Sequence, residues 1–174
     1  MFSDPATNIA RLGLTDGMKV ADIGAGSGFY SLEAARRVGP SGHIYAIDVQ
    51  KDLLERLRSV AQAQGLHNIE VVWGNAEKIG GTKLREGIAD RAVASNVLFQ
   101  IPVQLQDNFI LELKRILKPG GKAMLIDWSE VSPLGPKTVV PSVKAQGMFE
   151  RNGFLLDQSF GAGEHHYGMI FQRR

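Results

Sequence analysis

The sequence predicts an α/β fold, a doubly wound, seven-stranded sheet that is mostly parallel and carries helices on both faces. Short apolar runs alternate along the chain with longer segments in which apolar residues recur at helical spacing. Glycine or proline follows most of these segments, as expected where elements end. The last two apolar runs have no helical segment between them, so the final strand is expected to run antiparallel.

The first half of the chain predicts a short opening helix and then strand–helix units. Asp4 and Pro5 are suited to an N-cap and a first helical residue, so a helix is expected to start there. Two compact apolar runs have the length of buried strands. The helices that follow them end at glycine. The predicted ranges are a helix toward Leu12, strands at 18–24 and 43–49, a helix at 28–38, and a helix that carries Leu53, Leu57, Val60 and Ala61 and ends at Gly65.

The second half continues the alternation and then departs from it. After a third and a fourth strand, apolar residues at helical spacing predict a helix that Pro119-Gly120-Gly121 ends. A fifth strand and a final helix come before the two closing strands. The predicted ranges are strands at 70–73, 89–98, 122–128, 155–160 and 166–172, a helix that carries Phe109, Leu113, Ile116 and Leu117, and a helix at 143–151.

The composition is that of one globular domain. With 174 residues the chain is long enough for a full core and too short for two ordinary domains, so a single domain over residues 1–174 is expected. Hydrophobic residues make up 44% and charged residues 22% of the chain, as in soluble proteins. No apolar run approaches the roughly 20 residues of a membrane span. The N-terminus lacks a secretion-signal pattern, so a cytoplasmic location is expected.

Cysteine usage and charge exclude some classes of site. The chain has no cysteine, which excludes disulfides, thiol nucleophiles and thiolate metal ligands. The formal net charge is +2. Proteins that bind nucleic acid usually carry a larger excess of positive charge, so this net charge neither requires nor excludes a nucleic-acid partner.

A glycine cluster lies between the first strand and its helix, in VADIGAGSGFY at residues 20–30. Gly24, Gly26 and Gly28 are spaced G-x-G-x-G, whereas the dinucleotide fingerprint requires its third glycine at position 29, which is Phe29. A phosphate-binding P-loop would also require a following lysine, which is absent. The cluster therefore indicates either a close backbone approach to another ligand or a plain strand-to-helix turn.

Three polar residues lie within, at the end of, or just after the first three strands. Asp48 could accept hydrogen bonds from both hydroxyls of a ribose, or it could cap the next helix. Asp22 lies inside the first strand, where a buried acid needs partners such as loop N–H groups or a ligand amine. Asn75 could pair with an adenine, or it could form an ordinary turn.

Five segments in this order resemble the successive motifs of class I S-adenosylmethionine-dependent methyltransferases. The segments are VADIGAGSGFY, AIDVQ, GNAEKI, IADRAVASNVL and LKPGGKAMLIDW. The resemblance covers the chain from about residue 18 onward and is greatest to the small-molecule and quinone-type group. It implies a Rossmann-like sheet with a closing antiparallel hairpin, and S-adenosyl-L-methionine as the cofactor.

The resemblance also implies roles for individual residues. Gly24 and Gly26 would let the backbone approach the methionine part of the cofactor, and Asp22 would help to hold that loop and the cofactor's amino group. Asp48 would bind the ribose, with Val49 beside it. Asn75 and Ala76 would lie at the adenine, although the family often has Asp at position 75. Asn96 would lie near the methionine part.

The resemblance does not designate a catalytic residue, because methyl transfer from a sulfonium mainly requires alignment and exclusion of water. The candidates are His165 and His166 in the closing hairpin loop and Asp127 at the end of the fifth strand. A neutral histidine could act as a base, but turn histidines are commonly exposed, and a strand-end acid often only caps the next segment. Adjacent histidines in a strand point to opposite faces, so no metal site is expected.

The expected function is methyl transfer to an unidentified small molecule. The fourth strand ends in SNVLFQIP, without the Asn-Pro-Pro-Tyr pattern of enzymes that methylate planar nitrogens, and the lack of cysteine excludes arsenite methylation. The only sizeable insert after the fifth strand is 131–141. The alternatives are an RNA or protein methyltransferase, a dinucleotide oxidoreductase, and a non-catalytic cofactor-binding partner subunit. The oligomeric state is left open.

Overall fold

The computed structural model describes residues 3–130 and 132–174. Three residues lie outside the described ranges. They are Met1 and Phe2 of the predicted domain and Val131, which begins the predicted 131–141 insert. The strands are β1 (Lys19–Ile23), β2 (His43–Asp48), β3 (Ile69–Trp73), β4 (Ala89–Ser95), β5 (Leu117–Trp128), β6 (Phe154–Gly161) and β7 (His166–Arg173). The helices are α1 (Pro5–Arg11), α2 (Phe29–Val38), α3 (Lys51–Ala63), α4 (Gln106–Ile116) and α5 (Ser142–Arg151).

The strands form one sheet in the order β3-β2-β1-β4-β5-β7-β6. Strands β1 to β5 pair in parallel, and β7 runs antiparallel to both β5 and β6. The predicted seven-stranded, mostly parallel sheet with an antiparallel last strand is therefore confirmed. Because the chain winds outward from β1 in one direction and from β4 in the other, the carboxyl ends of these two strands flank a crevice in which open α/β sheets bind ligands.

Helices cover both faces of the sheet, as predicted. Alternate strand residues point to opposite faces, and they divide the core accordingly. On one face, Ala21, Ala92 and Leu125 pack with Phe109 of α4 and Phe149 of α5. On the other face, α1, α2 and α3 cover a second set, of which Val20, Ile44, Val93, Ala46 and Leu57 are members.

Two predicted boundaries are wrong, and both lie beside β4. The fourth strand was expected to reach Leu98, but β4 ends at Ser95 because Asn96 has a left-handed φ of 57° and a 3-10 turn follows at Leu98–Gln100. Leu117 was expected to end a helix, but it begins β5 and pairs with Ala89 before the register shifts at Arg91. Apolar residues continue across both boundaries, so hydrophobicity alone could not locate them.

Within the described ranges, every helix is too short or too polar to cross a bilayer.

Candidate functional site

A cavity of about 480 Å³ lies at the carboxyl ends of the parallel strands. The loops after β1, β2, β3 and β4 line it, together with the last residue of β5 and the first residue of β7. The structure brings all eight residues that were predicted to bind a cofactor to this one cavity. They are Asp22, Gly24, Gly26, Asp48, Val49, Asn75, Ala76 and Asn96. Their binding roles stay predictions.

The three glycines of the β1–α2 loop differ in what surrounds them. All three have left-handed backbone angles, with φ of 70° at Gly24, 54° at Gly26 and 79° at Gly28. A β-carbon at Gly24 would lie 2.3 Å from a Val97 methyl group, and one at Gly28 would lie 2.1 Å from a Leu57 methyl group. At Gly26 the nearest atom would be 3.9 Å away. Packing against Val97 and Leu57 therefore leaves no room for a side chain at Gly24 and Gly28. Gly26, which lines the cavity, has open space beside it.

The Asp48 carboxylate joins two loops at the rim of the cavity. One oxygen accepts a hydrogen bond from the Gly26 N–H at 2.9 Å, and the other accepts from the Gln50 N–H at 2.8 Å. The side chain is buried. An ionised carboxylate has about four lone-pair sites, so acceptor capacity remains for the hydroxyls of a ligand. Asp48 thus binds the residue that precedes α3 and also lines the cavity.

Asp22 is almost fully buried beneath the glycine loop. Its carboxylate accepts a hydrogen bond from the Ser31 hydroxyl of α2 at 2.6 Å. The hydrogen-bond partner of Asp22 in the structure is therefore a helix side chain, whereas the sequence suggested loop N–H groups or a ligand amine. Burial, with a smaller contribution from the negative charge of Asp48, raises the pKa of Asp22 to about 6 against the opposing effect of the Ser31 hydrogen bonds. Perturbed carboxyl groups of this kind are frequent in functional sites.

The loop after β3 carries Asn75 and Ala76. The Asn75 side-chain oxygen accepts from the Glu77 N–H at 2.8 Å, which is the ordinary turn considered above. Helix α4 holds the far side of this loop through Glu112, whose carboxylate accepts from the Gly80 N–H at 2.7 Å and from the Thr82 N–H at 3.2 Å. Arg115 of the same helix completes the network with hydrogen bonds to both Glu112 oxygens. Sequence reasoning missed this support because helix periodicity gave no sign that Glu112 would be buried.

Asn96 lines the cavity and carries a polar atom that has no hydrogen-bond partner among the described residues. Its side-chain oxygen is buried and accepts no hydrogen bond from any described residue. Its backbone carbonyl accepts from the Gln100 side chain at 2.6 Å. A buried acceptor without a partner is costly, so a ligand donor such as an amine would satisfy it.

His166 lies at the other end of the cavity, beside Trp128. Its side chain is only 5% exposed, so the alternative of an exposed turn histidine is wrong for this residue. The imidazole packs against the Trp128 indole with ring centroids 4.3 Å apart and planes tilted by 35°. Both ring nitrogens are buried and have no hydrogen-bond partner among the described residues. Burial lowers the pKa of His166, and the neighbouring charge of His165 lowers it further.

The other two catalytic candidates do not line the cavity. The Nδ1 atom of His165 lies 3.1 Å from the Ser132 hydroxyl. The side chains of the adjacent residues His165 and His166 therefore have different surroundings. Asp127 is fully buried and accepts from the N–H groups of Phe99 and Trp128 at 3.0 and 2.8 Å. Burial raises the pKa of Asp127 to about 6, against these two hydrogen bonds. Its contacts are those of an acid that caps the turn after Asn96.

Several cavity residues were not foreseen from the sequence. Phe29 and Tyr30, in the first turn of α2, line the cavity together with Ser3 and Pro5 from the N-terminal segment. The Tyr30 hydroxyl lies 2.7 Å from the Ser3 hydroxyl, and this contact fixes that segment over the site. The two aromatic residues directly follow Gly28, which was the available signal. No group of three potential metal ligands occurs in residues 3–130 and 132–174.

Comparison with known proteins identifies related sequences and folds. The profile of the methyltransferase domain family matches residues 14–153. Demethylmenaquinone methyltransferase from Listeria welshimeri is 30% identical over 123 residues, which are 71% of this chain and 50% of that protein. The corresponding protein from Geobacillus stearothermophilus is 26% identical over 72% of this chain and 51% of its own length. This chain thus spans about half the length of these curated relatives.

A crystal structure of similar fold is that of a SAM-dependent methyltransferase from Aquifex aeolicus. Its TM-score is 0.87 at 27% identity, and the superposition covers 99% of this chain and 91% of that one. The match includes the closing β6–β7 hairpin, since almost the whole chain is covered.

Proposed function

The chain belongs to the class I S-adenosylmethionine-dependent methyltransferases, and on that premise we propose that it transfers a methyl group from S-adenosylmethionine to a small organic molecule of the quinone type. The observation that carries the proposal is that all eight predicted cofactor residues surround one cavity at the sheet edge. The acceptor class is inferred from the relatives, which are named for methylating demethylmenaquinone.

The residues of the cavity fit such a cofactor at both of its ends. Asp48 has acceptor capacity for ribose hydroxyls, beside a loop in which Gly26 leaves open space. The unpartnered oxygen of Asn96 suits the amino group of a methionine moiety. When bound, S-adenosylmethionine supplies a methyl group on a positively charged sulfur, which is already activated as a leaving group. The protein then has to align the acceptor and exclude water.

The lining of the cavity supports a small, flat and largely apolar acceptor. Phe29, Tyr30, Phe109, Trp128 and His166 contribute aromatic rings to it. Aromatic rings pack favourably against one another when offset or tilted. A quinone-type ring is the kind of surface that this lining can contact.

Binding of the demethylated cofactor provides the first test. A ligand that binds only the folded state stabilises it by about 2.7 kcal/mol at 100 times its Kd. S-adenosylhomocysteine at that concentration should therefore raise the Tm by roughly 5–10 °C, whereas NAD should leave it unchanged. A shift with NAD and none with S-adenosylhomocysteine would overturn the cofactor assignment.

The second test identifies the acceptor. Purified protein is supplied with methyl-labelled S-adenosylmethionine and, separately, with a quinone-containing lipid extract, total RNA and total protein. Label in the lipid extract supports the proposal. Label in RNA or protein alone, or cofactor binding without any transfer, would favour a macromolecular substrate or a non-catalytic subunit instead.

A further inference from the structure

Trp128 and His166 form an aromatic wall that no predicted cofactor contact uses. Trp128 ends β5, His166 begins β7, and the two are directly paired in the antiparallel register. This register places both side chains at the sheet edge that carries the cavity, and both line it. Of the predicted cofactor residues, Asp48 ends β2 and Asn75 follows β3, on the far side of β1 and β4. The wall is therefore at the end of the cavity away from the predicted nucleoside site.

The wall contains an unmet hydrogen-bonding requirement. Neither nitrogen of the His166 ring has a partner among the described residues, although both are buried. A neutral imidazole carries one donor and one acceptor, and buried polar atoms of this kind are nearly always satisfied by protein, water or ligand. Burial keeps the pKa of His166 below its ordinary value, so the ring is neutral at pH 7 and has one acceptor nitrogen.

The chemistry of the wall favours a flat, uncharged ligand that carries a hydrogen-bond donor. A neutral ring offers no charge to a carboxylate or phosphate, and its acceptor nitrogen matches a hydroxyl donor. The indole of Trp128, tilted 35° to the imidazole at 4.3 Å, adds a flat apolar surface beside that nitrogen. A planar aromatic ring that carries a hydroxyl group satisfies both features at once.

We propose that Trp128 and His166 form the acceptor subsite, and that it binds a hydroxyaryl ring whose O–H donates to a His166 ring nitrogen while the ring packs on Trp128. The inference rests on the proposed function for its assignment to the acceptor. His166 is then the residue that selects hydroxyaryl over non-hydroxylated rings and orients the ring in the cavity.

The experiment uses two probes that differ in one hydrogen-bond donor, 2-naphthol and 2-methoxynaphthalene. Their affinities are measured by NMR titration in the presence and in the absence of S-adenosylhomocysteine. One hydrogen bond predicts that 2-naphthol binds roughly three- to tenfold more tightly. The nitrogen resonances of the His166 ring should shift with 2-naphthol and not with the ether.

Variants separate the hydrogen bond from packing. His166→Phe keeps an aromatic ring, so it should retain binding of 2-methoxynaphthalene and lose the preference for 2-naphthol. His166→Gln retains an acceptor and should recover part of that preference, which also covers the case in which the phenylalanine variant fails to fold. His165→Phe is the matched control, because His165 does not line the cavity, and it should keep the full preference.

Equal affinities of the two probes for the unmodified protein would overturn the proposal, as would a preference that survives in His166→Phe. A failure of the proposed function is distinguishable, because it appears as absent binding of S-adenosylhomocysteine. The comparison of 2-naphthol with 2-methoxynaphthalene in the absence of S-adenosylhomocysteine still tests whether His166 forms the hydrogen bond.

Discussion

The Asp48 carboxylate holds the glycine loop and the start of α3 while it faces the cavity. Asp48→Ala removes acceptors for ligand hydroxyls and also releases the Gly26 N–H. The affinity for S-adenosylhomocysteine should fall by about 1.5–3 kcal/mol, the range for hydrogen bonds to a charged group. Isothermal titration calorimetry checks this value. Asp52→Ala, which changes an exposed acid in the first turn of α3, should bind as the unmodified protein does. Unchanged affinity in Asp48→Ala would remove the ribose assignment.

Gly26 and Gly28 should respond differently to the same substitution. At both positions a side chain meets a left-handed φ, which costs roughly 1–2 kcal/mol. A β-carbon at Gly28 would also collide with Leu57, whereas Gly26 has open space. Gly26→Val should therefore stay folded by circular dichroism and lose cofactor binding, while Gly28→Val should be strongly destabilised. A folded Gly26→Val variant that binds S-adenosylhomocysteine normally would reduce this loop to a turn.

For individual residues, the sequence predicted where a side chain lies in the fold better than which groups it contacts. The positions of residues at or just after the strands predicted which side chains lie together, because the carboxyl ends of parallel strands share one edge of the sheet. The sequence could not reveal that Ser31 would donate to Asp22, since that contact depends on how α2 packs over β1. Nor could it separate the buried His166 from His165, because burial depends on the neighbouring strand and not on the residue itself.

Among the elements, α4 stabilises the loop after β3 through the fully buried Glu112. Burial alone would raise the pKa of Glu112, but hydrogen bonds from Arg115, Thr82 and Gly80 hold it below the ordinary value of 4.5. Glu112→Gln should lower the free energy of unfolding at pH 7 by roughly 1.5–3 kcal/mol. This contribution is present above pH 4.5 and is lost as the pH falls through the lower pKa of the folded state.

Urea denaturation at pH 7 measures the effect of Glu112→Gln. Glu150→Gln is the control, because Glu150 is an exposed acid of α5 and its loss should change stability by less than about 0.5 kcal/mol. If the two variants were equally stable, the loop would not depend on α4.

The order and type of the elements could be predicted because apolar periodicity and glycine positions agree along most of the chain. The boundaries beside β4 could not. The Pro119-Gly120-Gly121 segment was expected to lie outside the strands, yet it lies within β5 at a shift of register. Pairing with Ala89 draws Leu117 into the sheet, and this tertiary contact leaves no local signal.

For the molecule as a whole, two buried acids make stability depend on pH. Burial raises the pKa of both Asp22 and Asp127 from 3.8 to about 6. The folded state therefore binds protons more tightly than the unfolded state does, and these two groups lower the free energy of unfolding as the pH rises from about 4 to 6. Asp22→Asn keeps an acceptor for Ser31 and removes one of the two titrations.

The difference in unfolding free energy between Asp22→Asn and the unmodified protein should shift in favour of the variant, by on the order of 1–3 kcal/mol, between pH 4 and pH 7. Urea denaturation at a series of pH values checks this. Asp107→Asn is the control, since a hydrogen bond from Arg151 lowers the pKa of Asp107, and its titration therefore lies below this window. A difference that stays constant from pH 4 to pH 7 would show that Asp22 does not titrate there.

The place of β7 in the sheet also has a consequence for biosynthesis. Strand β7 pairs with β5 on one side and β6 on the other, yet it follows both in the chain. A ribosome releases β1 to β4, with the glycine loop and Asp48, well before it releases β7. Trp128 therefore meets His166 only when the closing hairpin docks on β5. The wall formed by Trp128 and His166 is therefore the last part of the cavity lining to be completed during synthesis.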